Sequence, residues 1–154
     1  RLQIRLDERL HLSLVSRNLD DQAVCISQAL HTYFAIGDIH QVSVEGLDGC
    51  RFIDTLQDWA TDQQQGKLYF RGETDRIYLL DPAWNRRITL QTGGSRSAIL
   101  WNPWIAKAQR LSQFADDAWQ RMLCIETANA MDDHVQLAAG ASHTLSVSIG
   151  SESL

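Results

Sequence analysis

His31 and Glu126 are the residue types a proton-transfer site needs, and each lies in an informative setting. His31 sits in Ala29-Leu30-His31-Thr32-Tyr33-Phe34, at the end of an apolar strand. An imidazole changes charge near neutrality and can act there as acid or base. A lone histidine in such a run is more often a core residue satisfied by a neighbouring hydroxyl, so the setting leaves both roles open. Glu126 follows Leu123-Cys124-Ile125. Carboxylates are rarely buried without a partner, so this glutamate marks either an exposed strand end or a functional group. A carboxylate with an unperturbed pKa of about 4.3 is ionised at pH 7, and an imidazole near ~6.5 holds its proton when a negative charge is close. Glutamate as base and histidine as acid therefore make a workable pair. Periodicity alone does not bring the two together.

Other candidates are weaker. Asp75 lies in Gly72-Glu73-Thr74-Asp75-Arg76-Ile77-Tyr78, and an aspartate there commonly opens the next strand from a turn. Trp101-Asn102-Pro103-Trp104 is dense in aromatics for a chain with five tryptophans, and serves either as a core plug or as the wall of a sugar site. Gly93-Gly94-Ser95 lacks the context of a phosphate-binding loop and reads as a turn. Five histidines are scattered without metal-ligand spacing, and Cys25, Cys50 and Cys124 form no C-x-x-C pair. Neither a metal site nor a cofactor is expected; an odd set of thiols fits a reducing cytoplasm.

The elements that must position these residues are mostly strands. Leu2, Ile4 and Leu6 alternate with polar residues, as do Leu10, Leu12 and Leu14, and the charged turn Asp7-Glu8-Arg9 joins them as a hairpin. Ala23 to Phe34 reads as one nearly continuous apolar strand carrying His31. Val42 and Val44 precede the glycines Gly46 and Gly49. Short strands follow at Lys67–Arg71, Asp75–Leu80, Arg87–Thr92 and Ala98–Trp101, and Leu145, Val147 and Ile149 mark the last one. Ile105–Leu111 and Asp116–Met122 are the two candidate helices, and Asp54–Gln65 is either a helix turn or a loop. Many short strands separated by turn signals predict an all-β antiparallel sandwich or barrel. No domain boundary falls inside residues 1–154.

Composition narrows the partners. The chain has 154 residues, 44% hydrophobic and 21% charged, which is globular. A net charge of −5 argues against a nucleic-acid partner, since phosphate backbones require clustered Lys and Arg. The longest apolar run falls far short of the ~18 residues of a membrane span, and no secretory leader pattern opens the chain. The chain starts at Arg1, without Met, and enters strand alternation at once, so a piece of a longer domain is expected. Half of a sandwich exposes strand edges, which favours self-association.

Four segments, Leu30-His31-Thr32-Tyr33-Phe34, Glu73-Thr74-Asp75-Arg76-Ile77-Tyr78, Trp101-Asn102-Pro103-Trp104 and Cys124-Ile125-Glu126, occur in an order and spacing that resembles the hexose-6-phosphate mutarotase branch of the aldose 1-epimerase superfamily. The likeness runs from the first strand to the last and is to the C-terminal half of such proteins. It implies a galactose mutarotase-like β-sandwich, here as a partial domain, and an isomerase that exchanges the α and β anomers of hexose 6-phosphates such as glucose 6-phosphate. It further implies His31 as general acid, Glu126 as general base and Asp75 as a ligand for a sugar hydroxyl. The family's main phosphate-binding arginines lie in its N-terminal half. Arg71, Arg76, Arg86, Arg87 and Arg96 show no phosphate-site spacing and are expected on a solvated surface. The competing expectation is a sandwich that binds carbohydrate without chemistry, or an inactive structural fragment.

Overall fold

A computed structural model of the chain describes residues 1–54 and 75–154, together with the backbone of 65–70. The Asp54–Gln65 stretch between its ends, and Arg71, Glu73 and Thr74, lie outside the described residues.

The strands are β1 (Leu2–Leu6), β2 (Leu10–Arg17), β3 (Val24–Ile26), β4 (Gln28–Leu30), β5 (Tyr33–Ala35), β6 (Ser43–Glu45), β7 (Arg51–Asp54), β8 (Gln65–Phe70), β9 (Arg76–Asp81), β10 (Arg86–Gly93), β11 (Ser97–Asn102), β12 (Met122–Asn129), β13 (Val135–Leu137) and β14 (Ser142–Ser153). One six-stranded sheet has the order β1-β2-β14-β10-β9-β6. A second runs β4-β12-β11-β8-β7, with β5 also pairing β12, and β13-β3 form a small ribbon. The described pairings are antiparallel.

The two large sheets pack face to face because period-2 alternation gives each an apolar side. Ile77, Leu79, Ile88, Leu90, Leu145 and Val147 come from the first sheet, and Leu30, Phe34, Ala98, Leu123 and Ile125 from the second; together they form one core cluster. The hairpin of β1 and β2 pairs Leu2 with Leu14, Ile4 with Leu12 and Leu6 with Leu10, as the alternation predicts. Gly94 turns the chain from β10 toward β11 at φ +71°, where a Cβ would run into the Thr144 carbonyl, so the glycine there is a steric requirement.

Three expectations change. The predicted strand from Ala23 to Phe34 is divided into β3, β4 and β5. The break at His31 and Thr32 arises because Thr32 turns its N–H back to the Leu30 carbonyl (3.0 Å) while its own carbonyl accepts from Ile125 N–H (3.2 Å). The predicted helix Ile105–Leu111 is the shorter α1 (Trp104–Ala108), started by Pro103. The predicted helix Asp116–Met122 is a 3₁₀ turn over Ala118–Arg121, since Met122 is drawn into the buried strand β12.

Candidate active site

Strand β12 is buried along its whole length. Leu123 and Ile125 face the core, so alternation sends Cys124 and Glu126 to the opposite side of their sheet. The kinked β4–β5 segment flanks β12 in the same sheet. Pairing runs from Leu30↔Thr127 to Tyr33↔Cys124 without a slip, so His31 falls directly opposite Glu126. The local break in the ladder leaves room for the histidine ring. His31 Nε2 lies 3.3 Å from Glu126 Oε1, with the histidine side chain 47% exposed and the glutamate 8%. One partner is thus open to solvent and the other is sheltered.

The surroundings are aromatic. Tyr33 stacks on His31 at 4.8 Å between ring centroids and 14° between planes, and Trp101 meets both rings edge-on. Trp101 pairs with Cys124 across β11–β12, which puts it on the Glu126 side of the sheet. Lys107, on α1, holds its ammonium 5.4 Å from the Trp101 ring centre, a cation over an aromatic face. Burial pushes the Glu126 carboxyl above its ordinary range, and the nearby His31 pulls it partway back. Burial, with the Glu126 charge adding to it, raises the Cys124 thiol to about 12, so this cysteine is an inert packing residue at neutral pH.

The Trp101–Trp104 run is divided between two aromatic clusters. Trp101 walls the His31–Glu126 site, while Trp104 joins Trp119 (4.5 Å) and His40 in a separate aromatic cluster. Between them Asn102 is fully buried; its amide donates to the Trp119 and Met122 carbonyls, and its oxygen accepts from Trp104 N–H, each at 2.7 Å. This holds Trp104 at φ +54° and sets the direction of α1.

Asp75 is exposed at the entrance to β9, in the other sheet. Its backbone carbonyl accepts from Thr92 N–H (2.8 Å), and its carboxylate lies 3.4 Å from the Gln91 amide. Among the described residues no hydrogen bond or ion pair joins it to His31 or Glu126. The arginines expected on a solvated surface are mostly committed to carboxylates. Arg86 pairs with the fully buried Asp81, Arg87 with Glu152 and Arg96 with Asp133. A cavity of about 470 Å³ lies apart from the pair, bordered by Arg96, Asn129, Asp133 and His143. Its polar groups already bond one another: Asp133 Oδ2 accepts from Arg96 N–H, Ser97 Oγ and Asn129 Nδ2. That network is structural.

Tyr33, Trp101 and Lys107 were not singled out from sequence as companions of the pair. Tyr33 had a usable signal, since it stands two residues from His31 and so shares its side of the strand. Trp101 stood out only as part of the aromatic run 101–104, and neither it nor Lys107 could be tied to the pair without the β11–β12 register.

Two face-packed antiparallel sheets in this order make a galactose mutarotase-like β-sandwich; a protein of that description from Clostridium acetobutylicum superposes with a TM-score of 0.70 at 12% identity, over 99% of this chain and 55% of its own. The chain belongs to the aldose 1-epimerase family, whose profile matches residues 1–150. A protein from Cenchrus ciliaris, provisionally named a glucose-6-phosphate 1-epimerase, is 33% identical over 91% of this chain and 46% of its own length. YeaD from Salmonella typhimurium, provisionally described as a mutarotase, superposes with a TM-score of 0.85 at 24% identity, over 99% of this chain and 53% of its own. The chain spans about half the length of the curated relatives it matches.

Proposed function

We propose that the polypeptide carrying this chain exchanges the α and β anomers of a hexose 6-phosphate, with Glu126 as general base and His31 as general acid. The observation that carries this reading is the 3.3 Å approach of a sheltered carboxylate to an open imidazole, beside an aromatic wall. Anomer exchange opens the pyranose ring and recloses it on the other face of C1. The base takes the proton from the C1 hydroxyl while the acid protonates the ring oxygen. The C1–ring oxygen bond breaks as the C1 carbonyl forms. Rotation about C1–C2 follows, and the two groups exchange roles for closure. Both oxygens belong to the same carbon, so an adjacent acid and base suit the task, and no electron leaves or enters the sugar. Such acid–base catalysis contributes about 10²–10⁴-fold.

Burial of Glu126 serves this chemistry, because a base with a raised pKa holds the abstracted proton more firmly. Below its raised pKa Glu126 is protonated and cannot accept, so the exchange rate falls on the acid side with a midpoint above the ordinary glutamate value of 4.5. A pH profile of exchange by NMR saturation transfer checks this; a midpoint at or below 4.5 contradicts it.

The 6-phosphate is the finer part of the reading. It rests on the names of the relatives and on Lys107, whose ammonium stands over Trp101 beside the pair. Asp75 keeps the part of a ligand for a sugar hydroxyl, its contact with Gln91 being long enough to yield. Removing the charge by Lys107→Ala is expected to raise KM for glucose 6-phosphate about tenfold, ~1.4 kcal/mol, while leaving exchange of unphosphorylated glucose unchanged. Equal effects on the two sugars would remove Lys107 from phosphate recognition.

A further inference from the structure

We propose that Tyr33 is the positioning residue of the proton-transfer pair: its ring, stacked on His31, holds the imidazole in the plane that aims Nε2 at Glu126. The effect on rate rests on the anomer-exchange reading; the effect on the ring does not. A single contact does not orient an imidazole. The last torsion of a histidine side chain is broad, so a ring held only through Nε2 turns about that contact. The 3.3 Å separation from Glu126 Oε1 is also longer than the ~2.7–2.9 Å of a tight charge-assisted bond. His31 stands at the break between β4 and β5 with its side chain 47% exposed, so its own strand leaves the ring latitude.

Tyr33 removes that latitude. Its ring lies 4.8 Å from the imidazole with 14° between planes, an offset stack of the kind aromatic pairs prefer. Stacking fixes the plane of a flat ring, which is the coordinate the Nε2 contact leaves open. Trp101 then meets both rings edge-on, at 75° to His31 and 82° to Tyr33, so the three brace one another. Register brings them together. Tyr33, Cys124 and Trp101 form one row across β5, β12 and β11, beside the row of His31, Glu126 and Ile99. Strands two apart lie about 9.6 Å from one another, and the small Cys124 side chain between them lets the outer rings meet.

The footing of Tyr33 is itself fixed from the opposite sheet. Two residues on, the Ala35 carbonyl accepts from Arg86 Nη2. Gly37 N–H donates to both carboxylate oxygens of Asp81, at 3.2 and 3.3 Å. Asp81 is fully buried and holds Arg86 through Nε and Nη2, each at 3.1 Å, so β5 ends against a closed ion pair of β9 and β10. Burial, with Cys124 and the Glu126 charge adding to it, raises the Tyr33 phenol, so its hydroxyl stays protonated at pH 7. Tyr33 therefore has no part as a base and acts as a flat surface.

The test compares Tyr33→Phe, which keeps the stack, with Tyr33→Val, which suits a strand but carries no ring, in the complete polypeptide that carries this chain. Crystal structures of the two variants give the His31 plane directly. It is expected to be unchanged in Tyr33→Phe and turned, or split between orientations, in Tyr33→Val. Saturation-transfer NMR over a range of glucose 6-phosphate concentrations gives kcat and KM. Tyr33→Phe is expected to leave both nearly unchanged, and Tyr33→Val to lower kcat by about 10–100-fold at nearly constant KM, the mark of a misaimed acid. Tyr33→Leu replaces the valine variant if circular dichroism shows that one unfolded. A His31 ring that keeps its plane and its contact with Glu126 in Tyr33→Val overturns the proposal, whether or not the polypeptide exchanges anomers. An unchanged kcat in Tyr33→Val overturns it too, as does a raised KM alone, which would make Tyr33 a sugar contact. Equal losses in the two variants would assign the effect to the hydroxyl and overturn it likewise. Absence of exchange in the unsubstituted polypeptide would sink the anomer-exchange reading, and the ring plane would still decide the role of Tyr33.

Discussion

Replacing Glu126 by glutamine is expected to slow catalysed anomer exchange by about 10²–10⁴-fold, the loss that follows removal of a positioned base. The amide keeps the shape of the carboxylate and its place 3.3 Å from His31 but accepts no proton. Stability should move the other way. Burial raises the pKa of Glu126, so the folded chain binds that proton more tightly than the unfolded chain does. Stability tied to this group is therefore lost as pH rises through the folded value, above which the ionised carboxylate is a cost. Glutamine removes that cost, and thermal denaturation at pH 7 should show a melting temperature equal to or above that of the unsubstituted protein. A residue kept for packing alone would give the reverse: full exchange and a lower melting temperature. The opposed directions separate the functional from the structural account of this buried carboxylate.

Asn102→Leu is expected to destabilise the chain by about 3–5 kcal/mol, among the larger effects a single substitution produces. Leucine keeps the branched skeleton of asparagine but satisfies none of its three partners. The bonds from Asn102 to the Trp119 and Met122 carbonyls and from the Trp104 N–H to Asn102 would all be lost, at a side chain closed to solvent. Each such loss costs about 1–3 kcal/mol. Trp104 also loses the bond that holds its left-handed backbone, so α1, with Lys107, is released from its position over Trp101. Chemical denaturation gives the magnitude, and near-ultraviolet circular dichroism reports the loosening of the Trp104–Trp119 cluster. A change below 1 kcal/mol with an unaltered aromatic spectrum would mean that the corner is held by other contacts.

Much of the sandwich was legible because alternation is a local signal. The β1–β2 hairpin and the Leu145, Val147, Ile149 face of β14 follow from period two alone, and the structure lengthens β14 at both ends without changing its inward side. The breaks were illegible because they are made by partners far away in sequence. Leu30-His31-Thr32-Tyr33 has the composition of an unbroken strand, and only the Ile125 N–H reaching the Thr32 carbonyl shows where it bends. Met122 has good helix propensity, yet a strand of eight buried residues takes it.

The site was legible in parts. His31 and Glu126 stood out by residue type and neighbours, but their meeting depends on the β4–β12 register, which links segments about a hundred residues apart and leaves no trace in periodicity. Arg96 is exposed as expected, whereas Arg86 is held against Asp81, a carboxylate buried only once the sheets have closed.

The activity proposed for the His31–Glu126 pair is the interconversion of sugar anomers. Its most direct test is saturation-transfer NMR between the α and β anomers of glucose 6-phosphate at neutral pH, on the complete polypeptide that carries this chain. Magnetisation transfer is expected well above the spontaneous rate, proportional to protein concentration and abolished by either His31→Asn or Glu126→Gln. Binding of the sugar phosphate with exchange at the spontaneous rate would contradict it, and would leave a carbohydrate-binding sandwich in place of an isomerase.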